Sequence, residues 1–301
     1  MMLRAFLAFL IALAFSACTS GPDIEGLPQE KHTVVILGGS TYGVTVASAL
    51  KSYDEAIDVV LVEPGRMFVT EPYLNLYLSG MIDEKLVFRP YDVIAKRHGF
   101  TWIGSGVTYL EPERKMVVVN NRIIRYQRLV DARYRYLPAQ SDDTLLTDDY
   151  QSIIALEKRI GENGDKRILI DATALPAEEK LRGEELYNLL KNKQGRHVVF
   201  LQGKEEQEGS FDLLIRYPRY EEDAALRFSE NFFSQFNRGL ETAAEIVRED
   251  LNGSFLPNMV KEERFVYQNA ETLQGIDPDT NQKKEGTEYL AKVIKIQRDF
   301  M

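Results

Sequence analysis

Cysteine is nearly absent from this sequence: among 301 residues there is only Cys18. The remainder of the chain therefore has no disulfide, no thiolate nucleophile, no iron–sulfur cluster and no covalently held haem. Histidine is almost as scarce, and His32, His98 and His197 are scattered without the spacing of metal ligands. We therefore expect neither a metal site nor a haem.

Positive charge is in the minority, because 37 Lys and Arg residues stand against 46 Asp and Glu, for a net charge of −9. Proteins that bind nucleic acids carry an excess of basic residues, so we expect no nucleic-acid partner. With 44% hydrophobic and 28% charged residues, the chain is globular in composition and can bury a core. Its length suits two domains.

A hydrophobic run long enough for a transmembrane helix is also missing. The apolar stretch from Ala5 to Phe15 follows Arg4 and leads into Ser16-Ala17-Cys18. A transmembrane helix is the alternative interpretation, but a bilayer needs ~20 such residues. A short positive region, a short apolar core and small residues before a cysteine are typical of a bacterial lipoprotein signal.

We therefore predict a lipoprotein signal peptide at 1–18, with Cys18 acylated as the mature N-terminus. Residues 19–31 contain glycine, prolines and acids and little apolar content, which predicts a flexible tether. The protein would then be lipid-anchored in the bacterial cell envelope, on the periplasmic side and at the outer membrane rather than the inner one. Its partners would be the membrane, through this anchor, and a second protein.

A glycine-rich turn is the most informative feature. The apolar run Thr33–Leu37 leads into a turn, Gly38 to Gly43, and an apolar helix follows. A second apolar strand, Val59–Val62, ends in Glu63, twenty residues after Gly43. This layout is typical of a βαβ dinucleotide-binding unit, in which glycines make the turn and the acid accepts from ribose hydroxyls.

The middle glycine of that pattern is replaced by Ser40, so a side chain stands where backbone and phosphate should nearly touch. The fold prediction does not depend on this glycine, whereas ligand binding does. We predict the following cofactor-binding residues at the turn and strand end: Gly38, Gly39, Ser40, Thr41, Gly43 and Glu63. We predict no catalytic residue.

The rest of the chain alternates between strands and helices. We predict a helix over Tyr91–His98 ending at Gly99, a β-hairpin excursion near 107–125 turning at Asn120-Asn121, and helices on both faces of a parallel sheet. A second βαβ unit is expected within 165–205. The predicted division is 32–140 for the first dinucleotide-type domain, 150–210 for the second unit, and 211–301 for a helix and hairpin region that completes the fold.

From Val34 to about Val130 the sequence resembles the flavoprotein subunit of flavocytochrome c sulfide dehydrogenase and the related sulfide:quinone oxidoreductases. The resemblance is carried by the turn, Leu61–Pro64, Phe68–Asn75 and Arg128–Val130, in the same order and spacing. It implies an α/β fold: a Rossmann-like FAD/NAD(P)-binding domain with a β-hairpin excursion and a second, smaller βαβ unit. The chain would be a divergent member.

Several departures from this family bear on its chemistry. The redox-active cysteine of the family is matched here by Glu71, and a partner cysteine cannot exist, so sulfide oxidation through a persulfide is excluded. The strand at Val130 runs into a bulky turn containing Arg133 and Tyr134, and a late Gly-Asp motif for the flavin is missing. The second-unit loop from Ala172 to Glu178 has no glycine to hold phosphates, so we expect no NAD(P).

Two classes of function are compatible with these departures. The first is a non-catalytic or accessory binding subunit that keeps a degenerate flavoprotein fold, with FAD lost or bound at low occupancy. The second is an active FAD-dependent oxidoreductase that passes electrons to a partner without cysteine chemistry. The altered cofactor contacts favour the first.

Two further clusters have alternative interpretations. Arginines concentrate on the hairpin and after it, at 122, 125, 128, 133 and 135, where they form either an anion or partner patch or, as we favour, a solvated face. The aromatic and aliphatic stripe on the long helix predicted from Ser229 to Leu251 suits core packing better than a cofactor groove. The acidic run at 142–149 reads as an exposed connection.

Overall fold

The computed structural model describes residues 24, 26–133, 144–145, 150–162, 165–173, 175, 180–192, 197–203, 210–217, 232–250 and 295–301. Several predictions fall outside these residues. They are the signal peptide with Cys18, the turn from Tyr134 onward with Arg135, most of the acidic run, and the hairpin expected between residues 266 and 280.

The first sheet has six strands in the order β5-β2-β1-β8-β7-β6. Strand β1 lies in its interior and pairs in parallel with β2 on one side and β8 on the other. The dinucleotide-type prediction, which required an interior parallel strand at this point, is confirmed. The strands are β1 (Gln29–Leu37), β2 (Val59–Val62), β5 (Thr101–Ile103), β6 (Val107–Glu111), β7 (Met116–Val119) and β8 (Arg122–Asp131).

Strand β1 begins earlier than the sequence suggested. Gln29, Glu30 and Lys31 pair with β8, so the tether predicted over 19–31 is wrong at its end. Ile24 and Leu27 also pack against the hairpin. Gln29, Glu30 and Lys31 lack the apolar run that is typical of a strand. Their extended conformation is stabilised by pairing with β8.

The predicted hairpin excursion is confirmed. Strands β6 and β7 pair antiparallel, as do β7 and β8, and the second turn is Asn120-Asn121 with φ values of 50° and 56°. Asparagine tolerates this left-handed conformation better than most residues. Strand β8 then continues as the parallel neighbour of β1, so one ten-residue strand belongs to both arrangements.

The two faces of the first sheet are covered differently. Helices α1 (Thr41–Tyr53) and α7 (Phe232–Asp250) pack on the face that carries Val34 and Ile36. The cluster on the opposite face consists of strand side chains alone among the described residues, so the expectation of helices on both faces is not met there. Its buried members are Val35, Leu37, Val60, Val62, Val117, Val119, Ile124 and Tyr126.

Helix α7 contacts α1 closely along its apolar stripe. A Cβ atom at Gly239 would lie 2.7 Å from the Cβ of Thr45, so only glycine permits this approach. Phe236 and Leu240 are buried in the shared core, which confirms core packing as the role of the stripe. Tyr42 and Thr242 also join the helices by a 3.1 Å hydrogen bond between their hydroxyls.

A second sheet of four parallel strands has the order β11-β10-β12-β9. The predicted βαβ unit is confirmed as β10, α6 and β11, whereas β12, β9 and α5 were not predicted. Because β12 lies beyond residue 210, the second sheet extends into the region assigned to the C-terminal part. The elements are β9 (Thr144–Leu145), α5 (Tyr150–Gly161), β10 (Lys166–Asp171), α6 (Lys180–Lys191), β11 (His197–Leu201) and β12 (Leu213–Arg216).

The remaining elements are short and lie mostly between β2 and β5 of the first sheet. Helix α4 has the predicted bounds, Tyr91–His98, and ends at Gly99 in the left-handed conformation. A helical stretch at 295–300 (α8) lies near α1 and places the Phe300 carbonyl 2.8 Å from the Ser48 hydroxyl. The others are β3 (Met67–Val69), a 3₁₀ turn (Glu71–Tyr73), α2 (Leu74–Leu78), α3 (Glu84–Val87), β4 (Phe88–Pro90) and a 3₁₀ turn (Pro112–Arg114).

A buried carboxylate lies where α2 meets α6. Glu185 is 7% exposed and accepts a 2.6 Å hydrogen bond from the Asn75 side-chain amide, which also donates to the Arg182 carbonyl. The other carboxylate oxygen, Oε1, has no partner among the described residues. Burial raises the pKa of Glu185 from its ordinary value of 4.5 to about 7, although Asn75 and Arg182 oppose the shift.

This carboxylate should make stability depend on pH. At pH values between the unfolded pKa of 4.5 and the folded pKa of about 7, this carboxyl is ionised in the unfolded state but still protonated in the folded state. The free energy of unfolding should therefore fall as pH rises through this window, by roughly 3 kcal/mol. Urea unfolding across this range should show the fall in the wild type and a flatter profile in Glu185→Gln.

Glu184 is the exposed neighbour on the same helix and supplies the matched control. Glu184→Gln should keep the wild-type pH profile. A Glu185→Gln profile that coincides with the wild type would show that the buried carboxylate does not titrate in this range.

Candidate functional site

The predicted glycines form a tight turn at the carboxyl end of β1. Gly38 has φ 101°, and a Cβ there would lie 2.4 Å from the Ala132 carbonyl oxygen. A Cβ at Gly43 would lie 2.2 Å from the Gly38 carbonyl oxygen. These two glycines therefore have the expected roles, since one makes the turn and the other lets α1 pack against it.

Ser40, which replaces the middle glycine, is fully engaged within the protein. It is the N-cap of α1: its hydroxyl oxygen accepts from the Gly43 N–H at 3.3 Å. The same hydroxyl donates to the Ala132 carbonyl at 3.2 Å, and Ser40 is 4% exposed. Its side chain thus ties the start of α1 to the segment that leaves β8.

The carboxylate of Glu63 turns back onto the glycine turn. Its Oε2 accepts from the Gly39 N–H and its Oε1 from the Gly65 N–H, both at 2.7 Å. Burial raises the pKa of Glu63, and the two backbone hydrogen bonds oppose that shift. The acid that was expected to bind ribose hydroxyls therefore binds two backbone amides of its own chain.

Two aromatic residues complete this network. The Tyr91 hydroxyl donates to the Gly39 carbonyl at 2.7 Å, and its ring stacks on Trp102 with centroids 6.0 Å apart. The Trp102 indole N–H donates to the Glu63 carbonyl at 3.0 Å. Sequence reasoning assigned neither residue to the site, because Tyr91 and Trp102 lie far from the glycine turn in sequence.

A cavity of about 510 Å³ opens beside the turn. Its size lies within the ~300–1,000 Å³ range of small-molecule sites. Four of the six predicted residues line it, namely Gly39, Ser40, Thr41 and Glu63, whereas Gly38 and Gly43 lie in the turn outside the lining. Other lining residues are Pro64, Gly65, Arg66, Met67, Phe68, Val69, Glu71, Tyr91, Tyr150 and Gln151.

Thr41 stands out among the lining residues because it is 1% exposed and its hydroxyl has no hydrogen-bond partner within the described part of the chain. It is the first residue of α1, where backbone N–H groups attract anions. Glu71 also lines this cavity, from the 3₁₀ turn.

These residues do not fit the diphosphate of FAD. A diphosphate at a glycine turn needs backbone N–H groups that are still available. Here Glu63 binds the Gly39 N–H and Ser40 binds the Gly43 N–H. The Ser40 side chain also occupies the place where close approach requires glycine.

The arginines of β8, and Arg133 two residues beyond it, are paired with nearby acceptors. Arg122 contacts Glu30 at 2.7 Å, and Arg128 contacts Glu249 at the same distance. Arg133 donates to both carboxylate oxygens of Asp131, which raises its pKa. Arg125 donates to the Gln29 side chain. A charge patch for anions is therefore not supported by the four arginines that the structure describes.

The carboxyl end of the second sheet is also closed by internal contacts. Asp171, at the end of β10, accepts from Arg216 Nε at 3.0 Å and from the Thr173 N–H at 3.1 Å. A Cβ at Gly183 would lie 2.4 Å from that of Ala172, so α6 packs tightly on this strand end. The absence of NAD(P) stays a prediction, since much of the connecting loop lies outside the described residues.

The described residues contain neither a candidate metal site nor a membrane-spanning helix. No three His, Cys, Asp or Glu side chains in this part of the chain come together in a way that could hold a metal ion. None of the helices described is both long and apolar enough to span a bilayer.

Comparisons with known proteins place the fold but not the activity. No protein-family model matches the sequence. A chain in the putidaredoxin reductase–putidaredoxin complex matches at 17% identity and TM-score 0.46, over 62% of this chain and 58% of that one. The sulfide:quinone oxidoreductase of Aquifex aeolicus matches at 11% identity and TM-score 0.45, over 66% and 61%.

A chain of the mitochondrial ATP synthase of Tetrahymena thermophila matches at 11% identity and TM-score 0.50, over 79% of this chain and 82% of that chain. The present chain thus spans about three fifths of the two oxidoreductase-related structures. Likeness at such identities concerns the fold alone. The resemblance to the sulfide dehydrogenase flavoproteins stays a prediction, since no comparison singles out that family.

Ser40 should contribute to stability through its two hydrogen bonds. Ser40→Ala removes the N-cap of α1 and leaves the buried Ala132 carbonyl without this donor, which should lower the free energy of unfolding by roughly 1–2 kcal/mol. Ser52 is exposed near the end of the same helix and donates only to the Ser48 carbonyl among the contacts described. Urea unfolding of Ser40→Ala and Ser52→Ala compares the two; equal losses would contradict a special role for Ser40.

Proposed function

We propose that this chain is a non-catalytic, accessory binding subunit of the bacterial cell envelope that keeps a flavoprotein-like fold without a resident flavin. The observation that carries this proposal is the pair of contacts from Glu63 to the Gly39 and Gly65 amides. They engage the one acidic side chain and one of the backbone donors that a dinucleotide would need.

The energetic argument concerns desolvation. A phosphate that leaves water for a protein site loses its hydration, and only several preorganised donors offset that loss. At this turn a bound diphosphate would first have to displace Glu63 from Gly39. It would also meet Ser40, whose hydroxyl holds the Ala132 carbonyl. Both changes add to the free energy that binding must supply.

Loss of catalysis is also supported by the sequence around the cavity. Glu71 lines the cavity at the position that matches the family's redox cysteine. A carboxylate cannot form a persulfide, and Cys18 is the only cysteine in the chain. The fold is therefore kept for binding, and we propose a second protein as its partner.

The anchoring part of the proposal rests on the sequence before the first described residue. The short apolar run and Ser16-Ala17-Cys18 support acylation at Cys18. Anchoring by several acyl chains, at ~0.8 kcal/mol per buried CH₂, would keep the protein at the periplasmic side of a membrane.

The second candidate is an FAD-dependent oxidoreductase that passes electrons to a partner. The observation in its favour is the cavity of about 510 Å³ at the carboxyl ends of β1 and β2. In open α/β sheets this is the location where ligands bind. The engaged state of Glu63 and Ser40 makes this candidate the weaker one.

The visible absorption spectrum of the purified full chain distinguishes the candidates. We expect no flavin bands and no saturable FAD binding. Binding can be followed by the fluorescence of Trp102, because it is the only tryptophan and its indole donates to the Glu63 carbonyl. Ser40→Gly should restore little FAD binding, since Glu63 stays engaged. Flavin at near-stoichiometric occupancy in the wild type, lost in Glu63→Ala, would overturn the proposal in favour of the oxidoreductase.

The anchor is tested separately. Cys18→Ala should abolish incorporation of labelled lipid and move the protein from the membrane to the soluble fraction, because the acylated thiol is removed. Ser16→Ala, which keeps the cysteine, is the control and should stay labelled and membrane-bound. Retention of unlabelled Cys18→Ala at the membrane would mean that another feature anchors the protein.

A further inference from the structure

The N-terminus of α1 has the features of an anion site. Helix α1 has thirteen residues, and its first turn lines the cavity through Thr41. The Thr41 hydroxyl is buried and has no partner among the described residues, so it is a polar group without a visible structural use. Buried polar groups of this kind need an explanation, and a ligand is one.

An anion of the protein itself already lies beside this position. The Glu63 carboxylate is 2.7 Å from the Gly39 nitrogen, just before the N-terminus of α1. Its second oxygen is held by Gly65, and its backbone carbonyl by the Trp102 indole. Two hydrogen bonds therefore fix the carboxylate on the wall of the cavity, and a third fixes the backbone of the same residue.

Neighbouring groups keep this arrangement compact. A Cβ at Gly39 would lie 2.3 Å from the Tyr91 hydroxyl oxygen and 2.7 Å from the Glu63 Cγ, so the two side chains cover Gly39. A negative charge so close to the turn repels a second anion and occupies a donor that it would use.

We propose that Glu63 acts as a built-in anion at the glycine turn, and that it excludes free phosphorylated ligands from a site that would otherwise bind a diphosphate group. This inference rests on the proposed function, because it explains how the fold is kept while nucleotide binding is suppressed. Removal of the carboxylate exposes the Gly39 N–H, the N-terminus of α1 and the Thr41 hydroxyl to the cavity.

Inorganic pyrophosphate is the probe, since it carries the diphosphate charge without a nucleoside. In titrations at neutral pH and low salt, followed by heat and by Trp102 fluorescence, the wild type should show no saturable binding. Glu63→Ala should bind pyrophosphate with an affinity at least about tenfold above that of the wild type, a difference of ~1.4 kcal/mol. Glu71→Ala removes another carboxylate from the same cavity and should behave as the wild type.

Two further variants sharpen the result. Thr41→Val in the Glu63→Ala background keeps the side-chain shape but removes the hydroxyl, and should weaken pyrophosphate binding several-fold. If Glu63→Ala fails to fold by circular dichroism, Glu63→Gln decides, because it removes the charge and keeps the size: saturable binding supports the proposal and its absence overturns it.

Equal behaviour of the wild type and a folded Glu63→Ala, whether both bind or neither does, would overturn the built-in anion. The same affinity gain in Glu71→Ala would also overturn it, because the effect would then come from the net charge of the cavity. If the wild type carries no flavin and Glu63→Ala binds pyrophosphate no better than the wild type, only this inference is refuted. A wild type that carries flavin refutes the proposed function itself.

Discussion

Parallel pairing of β1 along both of its edges is the constraint on which the rest of the structure depends. Because β2 and β8 flank it in parallel, the carboxyl ends of three strands meet at one edge of the sheet. The glycine turn, Glu63 and Ala132 follow these three strands directly, and this is why residues distant in sequence become neighbours. The apolar run Val34–Leu37, buried on both faces, permits no other location for β1 than the interior.

At this edge the chain satisfies most of the polar groups described above, with the Thr41 hydroxyl as the exception. Glu63 binds two amides, Ser40 binds one amide and one carbonyl, and Tyr91 binds the Gly39 carbonyl. In a dinucleotide-binding protein the bound ligand makes some of the hydrogen bonds at this edge. A polar group that is already bonded within the protein gains little from a ligand, so binding at this edge would release less free energy. The retained fold and the proposed loss of cofactor thus have one physical cause.

Local signals in the sequence predicted much of this fold. An apolar run before a glycine predicted β1, Gly99 predicted the end of α4, and Asn120-Asn121 predicted the hairpin turn. Each of these structures depends on neighbouring residues alone. Helix α5 was missed although Ile153, Leu156 and Ile160 have helical spacing. The partners of Glu63 could not be predicted, because a carboxylate at a strand end reaches a ribose or a backbone amide equally well. That choice depends on distances between Gly39, Glu63 and Gly65 that no sequence pattern specifies.

Helix α7 and the stretch at 295–300 have a consequence for how this chain acquires its structure during synthesis. Both cover α1, and Gln297 reaches back to the Thr70 hydroxyl at 2.7 Å. The first sheet is made early on the ribosome, yet the apolar side of α1 waits for partners that emerge about two hundred residues later. A growing chain would expose that surface throughout the synthesis of the second sheet, and such exposure favours association with chaperones or with other copies. Helices α7 and α8 therefore complete the packing around α1 late in synthesis, so their removal would affect the first sheet more than the second.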